Sequence, residues 1–357
     1  LDLAAGPIVR VALFTLGADR PARLLILVHH LAIDGISWRI LGEDLESVYE
    51  QLGRGQEVQL PPKTTSFRAW AQRLHAAGPR LAAAELGYWT ALAERAQPAL
   101  PVDRAAQENR VADTAQLRVS LSAAETDALL HEAPEAYNTQ INDLLTALAQ
   151  TLTPWTQSNS LFLALEGHGR AALFDDVDLS RTVGWFTTLF PVCLTPDQDG
   201  PGAAIKSVKE QLRQVPRRGM GYGILRYLGQ GEMAQPARLP AISFNYLGQF
   251  QPPAQGALLQ RLSQEESGPL YSPLGMRAHL LDIVGAVIDG QLQMEWIYNK
   301  TIHAEATIAD LAHAFNRALS ALIAHCQSPQ AGGWTPSDFP DAELDQDELE
   351  ALLSALA

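Results

Sequence analysis

The feature that most constrains this chain is Val28-His29-His30-Leu31-Ala32-Ile33-Asp34-Gly35, where two histidines and an aspartate interrupt apolar sequence. Polar groups at the end of a buried strand need partners or a chemical task, because an unpaired buried polar atom costs about 1–3 kcal/mol. Val9, Val11 and Leu13 predict one strand and Arg23 to Val28 a second, with Gly17-Ala18-Asp19-Arg20-Pro21 as the turn. From Trp38, apolar residues at Ile40, Leu41, Leu45, Val48, Tyr49 and Leu52 recur at helical spacing, with Ser37 as the expected N-cap and Gly53 as the stop. The stretch therefore belongs to a strand-to-helix loop at a sheet end.

A second polar cluster repeats this arrangement. Ser160 to Leu165 predicts an apolar strand running straight into Glu166-Gly167-His168-Gly169-Arg170. At 357 residues the chain exceeds the usual single core, so two lobes of about 150 residues each are expected. Pro61-Pro62 breaks the chain, and Ser66 to Ala77 and Arg80 to Glu94 read as two helices. Polar composition from Pro98 to Asp113 sets the expected boundary, giving residues 1–97 and 98–334 as lobes and 335–357 as an acidic linker or docking helix.

Within the second lobe, Ala115 to Leu121 alternates like a strand, and Ser122-Ala123-Ala124-Glu125 has the capping-box pattern of a helix start. Asn142 to Leu152, Ala203 to Gln214 and Glu305 to His325 predict helices, the last ended by Gly332-Gly333. Ile242 to Leu247 is strand-like, and Asp289-Gly290 between Leu281–Ile288 and Gln291–Tyr298 is a hairpin signal. Pro216 to Gly223 carries three glycines without the lysine and hydroxyl residue of a phosphate loop, so it reads as a tight turn. In the tail, Leu344, Leu349, Leu352, Leu353 and Leu356 stand against Asp341, Glu343, Asp345, Asp347, Glu348 and Glu350, an acidic amphipathic pattern.

Charge and cysteine content exclude several functions. A formal net charge of -14 with no basic run argues against nucleic acid, which needs clustered Lys and Arg. No apolar run approaches the roughly 18 residues of a membrane span, and no signal peptide is visible, so no membrane partner is expected. Cys193 and Cys326 lie far apart in apolar surroundings, which fits a reducing cytoplasm and core packing rather than a disulfide or a nucleophile. A start at Leu1 that enters structure almost at once suggests a segment of a longer polypeptide.

Adjacent histidines on a strand point to opposite faces, so only one of His29 and His30 faces a given cleft. No third ligand follows at zinc-like spacing, and no metal is expected. Taken alone, a histidine here is as readily a satisfied core residue, and Glu166 a solvated carboxylate or the ion partner of Arg170. Together, His30 and Glu166 form an acid/base pair whose environments can separate their proton affinities. Strand alternation sends Asn245 and Tyr246 to opposite faces, so at most one meets a substrate while the other packs.

These stretches resemble the epimerization domain of nonribosomal peptide synthetases, a branch of the condensation-domain superfamily. His29 to Gly35 matches the HHxxxDG signature, followed by Ile36-Ser37-Trp38; Glu166 to Arg170 reads EGHGR, and Arg181 to Thr187 reads RTVGWFT. Pro216 to Gly223 matches PxxGxGYG, Phe244 to Gly248 reads FNYLG, and Thr335 to Pro340 is similar to the exit segment of such domains. HHxxxDG alone marks the broad superfamily, whereas EGHGR with FNYLG marks the epimerization branch. Ala171 departs from the family, which usually carries an acidic residue there.

The resemblance implies an α/β (α+β) fold of two chloramphenicol-acetyltransferase-like lobes in a V, the N-terminal lobe incomplete in this chain. It implies inversion of the α-carbon, L to D, of an aminoacyl or peptidyl thioester. A carrier protein would present that substrate on its 4′-phosphopantetheine arm, the domain binding no cofactor of its own. His30 and Glu166 would be catalytic, Asn245 and Tyr246 would position the thioester, and His29, Asp34, Gly35 and Arg170 would shape the motif, Asp34 through an ion pair with an arginine. The alternatives are an amide-forming condensation domain and an inactive carrier-docking domain. The acidic tail would be a linker or would dock a downstream synthetase protein.

Overall fold

A computed structural model describes the chain except residues 96–98, 106–107, 140–141, 172, 230–239, 251–264, 266–267, 330, 340, 343, 347, 350 and 353–357. It groups into two compact units. One holds Leu1–Arg80 and His168–Thr188, with the described residues of Pro252–Gly268; the other holds Leu81–Gly167, Leu189–Gln251 and Pro269–Ala357. These units interleave along the chain, so they are a different kind of division from the three linear segments drawn from composition.

In the first unit, β1 (Val9–Phe14) pairs antiparallel with β2 (Arg23–Val28), Val9 opposite Val28 and Phe14 opposite Arg23. The pair was expected from the alternating apolar residues. Helix α1 (Gly35–Gly53) follows, capped by Asp34, whose side chain accepts from the Ser37 N–H at 2.7 Å. The N-cap is thus Asp34 and not Ser37: an aspartate there satisfies an orphan helix N–H, which frees the Ser37 hydroxyl for other work.

Helix α2 (Phe67–Ala93) runs unbroken through Pro79, where two helices were expected. A proline inside a helix removes one backbone donor and kinks or ends it; here the helix continues on both sides. In the first unit Trp70 and Phe186 are buried. Phe186 sits edge-on to Phe67 at 5.1 Å, and Trp70 lies 5.7 Å from Phe174.

The second unit is built on a six-stranded sheet ordered β3-β8-β7-β6-β4-β5. Its strands are β3 (Thr114–Ser120), β4 (Leu161–Gly167), β5 (Thr188–Leu194), β6 (Ile242–Phe250), β7 (Leu281–Ile288) and β8 (Gln291–Asn299). β6 runs parallel to both β4 and β7, while β7–β8 and β8–β3 are antiparallel. The hairpin at Asp289-Gly290 forms as the sequence predicts, both residues at positive φ, 50° and 76°.

The helices of this unit are α3 (Ala123–Tyr137), α4 (Asn142–Thr156), α5 (Pro201–Arg213), α6 (Met220–Leu228) and α7 (Glu305–Cys326). Ser122 and Glu125 form the expected capping box, with bonds of 3.2 and 3.1 Å. Leu145, Leu148 and Leu152 of α4 and Leu161 and Leu163 of β4 are fully buried with Phe244, Trp296 and Phe315, which makes one continuous core. The end of α7 is capped by Gln327 in a right-handed conformation, upstream of Gly332-Gly333. Pro216–Gly219 is the expected tight turn, and the remaining glycines of that motif enter α6.

Near Thr335, buried Lys209 donates to Asp338 at 2.5 Å and to the Tyr137 carbonyl at 2.7 Å. In the tail Leu349 is buried and Leu352 exposed. Glu343, Asp347, Glu350, Leu353 and Leu356 lie outside the described residues. Cys193 and Cys326 are buried free thiols. Among the described residues no helix is long and apolar enough to cross a membrane.

Candidate active site

The histidine stretch leaves β2 at Val28 and turns at once. His29 lies outside the strand and caps a one-turn 3-10 helix, His30–Ala32, its Nδ1 accepting from the Leu31 N–H at 3.2 Å. The two histidines are therefore not neighbours on a strand, as expected, but cap and first residue of a turn. The outcome for their side chains is still a division of labour. His29 spends a ring nitrogen on the backbone, while His30 is exposed.

Asp34 closes the loop. Its carboxylate accepts from the N–H of Ser37 at 2.7 Å, from the N–H of Phe186 at 3.1 Å and from the Arg170 guanidinium at 3.1 and 3.2 Å. Desolvation pushes this buried carboxyl up, but the Ser37 and Phe186 hydrogen bonds and the Arg170 charge outweigh it, and it stays below the ordinary carboxylate range. Arg170 also donates to the carbonyls of Leu179 and Thr182, both at 2.8 Å, and to the Ser37 hydroxyl at 2.9 Å. Its guanidinium stands 4.2 Å from the Phe186 ring centroid.

The arginine that sequence reasoning left without a number for Asp34 is thus Arg170. The same residue had been a candidate partner for Glu166. Gly35 opens α1 with open space at its Cα, and no packing there requires a glycine. Gly169, by contrast, has φ +63°, and a Cβ on it would lie 1.6 Å from the Phe186 carbonyl oxygen. Only glycine fits the EGHGR turn at this point.

The RTVGWFT segment is stitched to α1. Arg181 pairs with Glu43 at 3.0 Å and with Asp44, and the Thr182 hydroxyl donates to the Thr65 carbonyl at 2.6 Å. Ser37 Oγ donates to the Gly184 carbonyl at 2.9 Å and accepts from its N–H at 3.1 Å. Trp185, next in line, brings its ring to 5.5 Å from that of His30. Neither the Ser37 bridge nor this ring contact was foreseen; the only sequence signal was a tryptophan between two residues of a motif.

Glu166 is carried by the other unit. Residues Leu161 to Leu165 of β4 are buried and Glu166, next along the strand, is exposed, so an apolar strand delivers a carboxylate to solvent. β4 pairs Leu165 with Phe244 on β6, which brings Asn245 alongside; its Nδ2 donates to Glu166 Oε2 at 2.6 Å. Tyr246 packs over Gly285, where a Cβ would come within 3.3 Å of its ring. The alternation expected for the two residues holds: Asn245 joins the carboxylate and Tyr246 packs. Desolvation raises the Tyr246 hydroxyl above its usual value, so it stays protonated at neutral pH.

The first unit carries an exposed imidazole on the loop closed by Asp34, and the second carries an exposed carboxylate with an amide donor beside it. Both are groups for moving protons. Among the described residues no set of three His, Cys, Asp or Glu side chains is placed to hold a metal.

The condensation-domain profile matches residues 1–344. Linear gramicidin synthase subunits B and C of Brevibacillus parabrevis are 46% and 48% identical over 99% of this chain. Surfactin synthase subunit 1 of Bacillus subtilis is 40% identical, also over 99%. The chain spans 7%, 5% and 10% of those three relatives' lengths. Among solved structures, the epimerization domain from the third module of tyrocidine synthetase B superposes with a TM-score of 0.83 at 38% identity, over 91% of this chain and 74% of that one. The X-domain from teicoplanin biosynthesis shares the fold at 20% identity, with a TM-score of 0.66 over 92% and 75% of the two chains.

Proposed function

Since the chain belongs to the condensation-domain family, we propose that it inverts the α-carbon of an aminoacyl or peptidyl thioester, an isomerase step of nonribosomal peptide synthesis. The substrate rides on the 4′-phosphopantetheine arm of a neighbouring carrier domain, and the chain supplies no cofactor. The observation that carries this reading is Glu166, an exposed strand-end carboxylate hydrogen-bonded to Asn245. Amide formation draws on the histidine motif. Inversion needs a second acid/base group as well.

In the proposed reaction one residue takes the α-proton and the C–H electrons pass into the thioester carbonyl, giving an enolate. The other residue then delivers a proton to the opposite face, the carbonyl re-forms, and no atom is gained or lost. His30 and Glu166 are the pair, and the one that is base for one enantiomer is acid for the other. The Asn245 amide is the donor for the thioester or enolate oxygen, while Tyr246 packs on the other face of its strand. His29, Asp34 and Arg170 keep the loop in shape. The likeness to an epimerization domain at 38% identity supports the reading.

The two residues sit in different units, so the test must read both on one substrate. With L-phenylalanyl, L-valyl and L-leucyl thioesters on the carrier domain in deuterated water, the parent protein takes up deuterium at the α-carbon and yields D-isomer without an acceptor. His30→Ala and Glu166→Gln each lower that exchange about 10²- to 10⁴-fold. Near-parental exchange in either variant overturns the pair. Retained L-configuration, with coupling once an acceptor amine is added, makes the chain a condensation domain; carrier binding with neither reaction makes it a docking platform.

The acidic tail is proposed to contact the next synthetase protein. Deleting residues 341–357 then lowers downstream transfer and spares α-proton exchange; unimpaired transfer makes the segment a linker.

A further inference from the structure

His30 is held differently from everything around it. Asp34, Ser37 and Arg170 form a buried charged and hydrogen-bonded network, yet the His30 ring stands against an indole. The Trp185 and His30 centroids are 5.5 Å apart with planes inclined at 59°. Trp185 remains 42% exposed, so hydrophobic burial is not what fixes it.

Its backbone, however, is fixed on both sides by that same network. Gly184 before it is bound through N–H and carbonyl to Ser37, and a Cβ there would lie 2.3 Å from the Phe67 ring. Phe186 after it donates its N–H to Asp34 at 3.1 Å, and its buried ring lies under the Arg170 guanidinium. Asp34 and Ser37 also shape the start of α1, directly after the His30 turn. One set of buried groups thus sets the places of both the imidazole's loop and the indole's.

We infer that Trp185 is the positioning residue for His30, an aromatic wall that narrows the orientations open to the imidazole in front of the α-carbon. The inference rests on the reading of His30 as one of the acid/base pair. Proton transfer needs the two heavy atoms at hydrogen-bond distance, and a misplacement of about 1 Å can cost about 100-fold in rate. An imidazole exposed on a one-turn helix has several rotamers open to it. A tryptophan against one side removes some of them without drawing a proton or a charge.

The test uses the chain with its carrier domain bearing an L-phenylalanyl thioester. In Trp185→Ala, kcat for α-proton exchange falls about 10- to 100-fold while KM stays within about twofold, and Trp185→Phe recovers to within about fivefold of the parent. A second readout is independent of activity. In the ¹H–¹³C spectrum of histidine-labelled protein, with His30 assigned through His30→Asn, Trp185→Ala removes a ring-current shift from the His30 signals.

An exchange rate within about twofold of the parent in Trp185→Ala, or unmoved His30 signals, overturns the inference. So does a raised KM at unchanged kcat, which makes the indole a substrate contact, or equal loss of thermal stability in both variants, which makes it a structural residue. Full exchange in His30→Asn overturns the acid/base reading and the positioning role with it, a result distinct from failure of Trp185 alone.

Discussion

Asp34 and Asp143 are both nearly sealed from solvent, at 3% and 0% exposure, yet their carboxyls move in opposite directions. Asp34 in the first unit is surrounded by the Ser37 and Phe186 N–H groups and Arg170, and it is held below the ordinary range although desolvation pushes it up. Asp143 in the second unit, on the first turn of α4, has desolvation dominant and is raised to about 6. Its Oδ2 accepts from the Thr139 hydroxyl at 3.0 Å, and among the described residues its Oδ1 meets no hydrogen-bond partner. The nearby Cys326 thiol, itself buried, is pushed up to about 12. Burial alone therefore decides nothing about a buried charge in this protein; the number and charge of the donors decide it.

Removing Asp34's cation should break the contrast with the largest effect. Arg170→Met strands a carboxylate whose side chain is 4% exposed, and a loss of about 3–5 kcal/mol is expected by urea titration. A loss under about 1 kcal/mol would mean that the backbone donors suffice without the arginine.

The opposite sign is expected at Asp143. Its folded value, about 6, lies above the ordinary aspartate value of 3.8, so between those values the native state binds more protons and stability falls as pH rises. Above pH 6 the penalty is complete, about 3 kcal/mol. Asp143→Asn should therefore raise the melting temperature at pH 7.5 and leave it unchanged at pH 3.5. For Asp34 the order reverses: its contribution is complete above the unfolded value and is lost as pH falls through the lowered folded one. An equal gain from Asp143→Asn at both pH values would sink the assignment.

The smallest stability effect is expected at a third carboxylate. Glu166 is exposed, so Glu166→Gln and Asn245→Ala should each change folding stability by less than about 1 kcal/mol. Both should still depress α-proton exchange. Loss of fold in either would place Glu166 beside Asp34 as a structural carboxylate.

Much of this was legible in the sequence because it was local. The Asp289-Gly290 hairpin, the Ser122–Glu125 capping box and the apolar runs ahead of His29 and Glu166 each announce themselves within a few residues. Strand alternation separated Asn245 from Tyr246 correctly, and the structure brings Asn245 to Glu166. The Arg170–Asp34 pair was not legible, since no spacing rule ties residues so far apart, and the nearer Glu166 competed for the same arginine. Nor was the cap of α1: Asp34 and Ser37 are both good N-cap residues, and only the Gly184 and Arg170 contacts show why the serine is used elsewhere. Pro79 misled because a proline normally marks a helix boundary.

The clamp on Asp34 also dictates an order of events during synthesis. Asp34 and Arg170 are 136 residues apart in the chain, and α2, β3, α3, α4 and β4 are all made between them. A nascent chain that has already released β4 of the second unit still carries an aspartate cap with no arginine and a histidine turn with no tryptophan beside it. The first unit, begun first, is completed late, after the loop-closure entropy of that long intervening segment has been overcome. Until Phe186 leaves the ribosome, the histidine loop has the residues of its motif but lacks the partners that fix its shape.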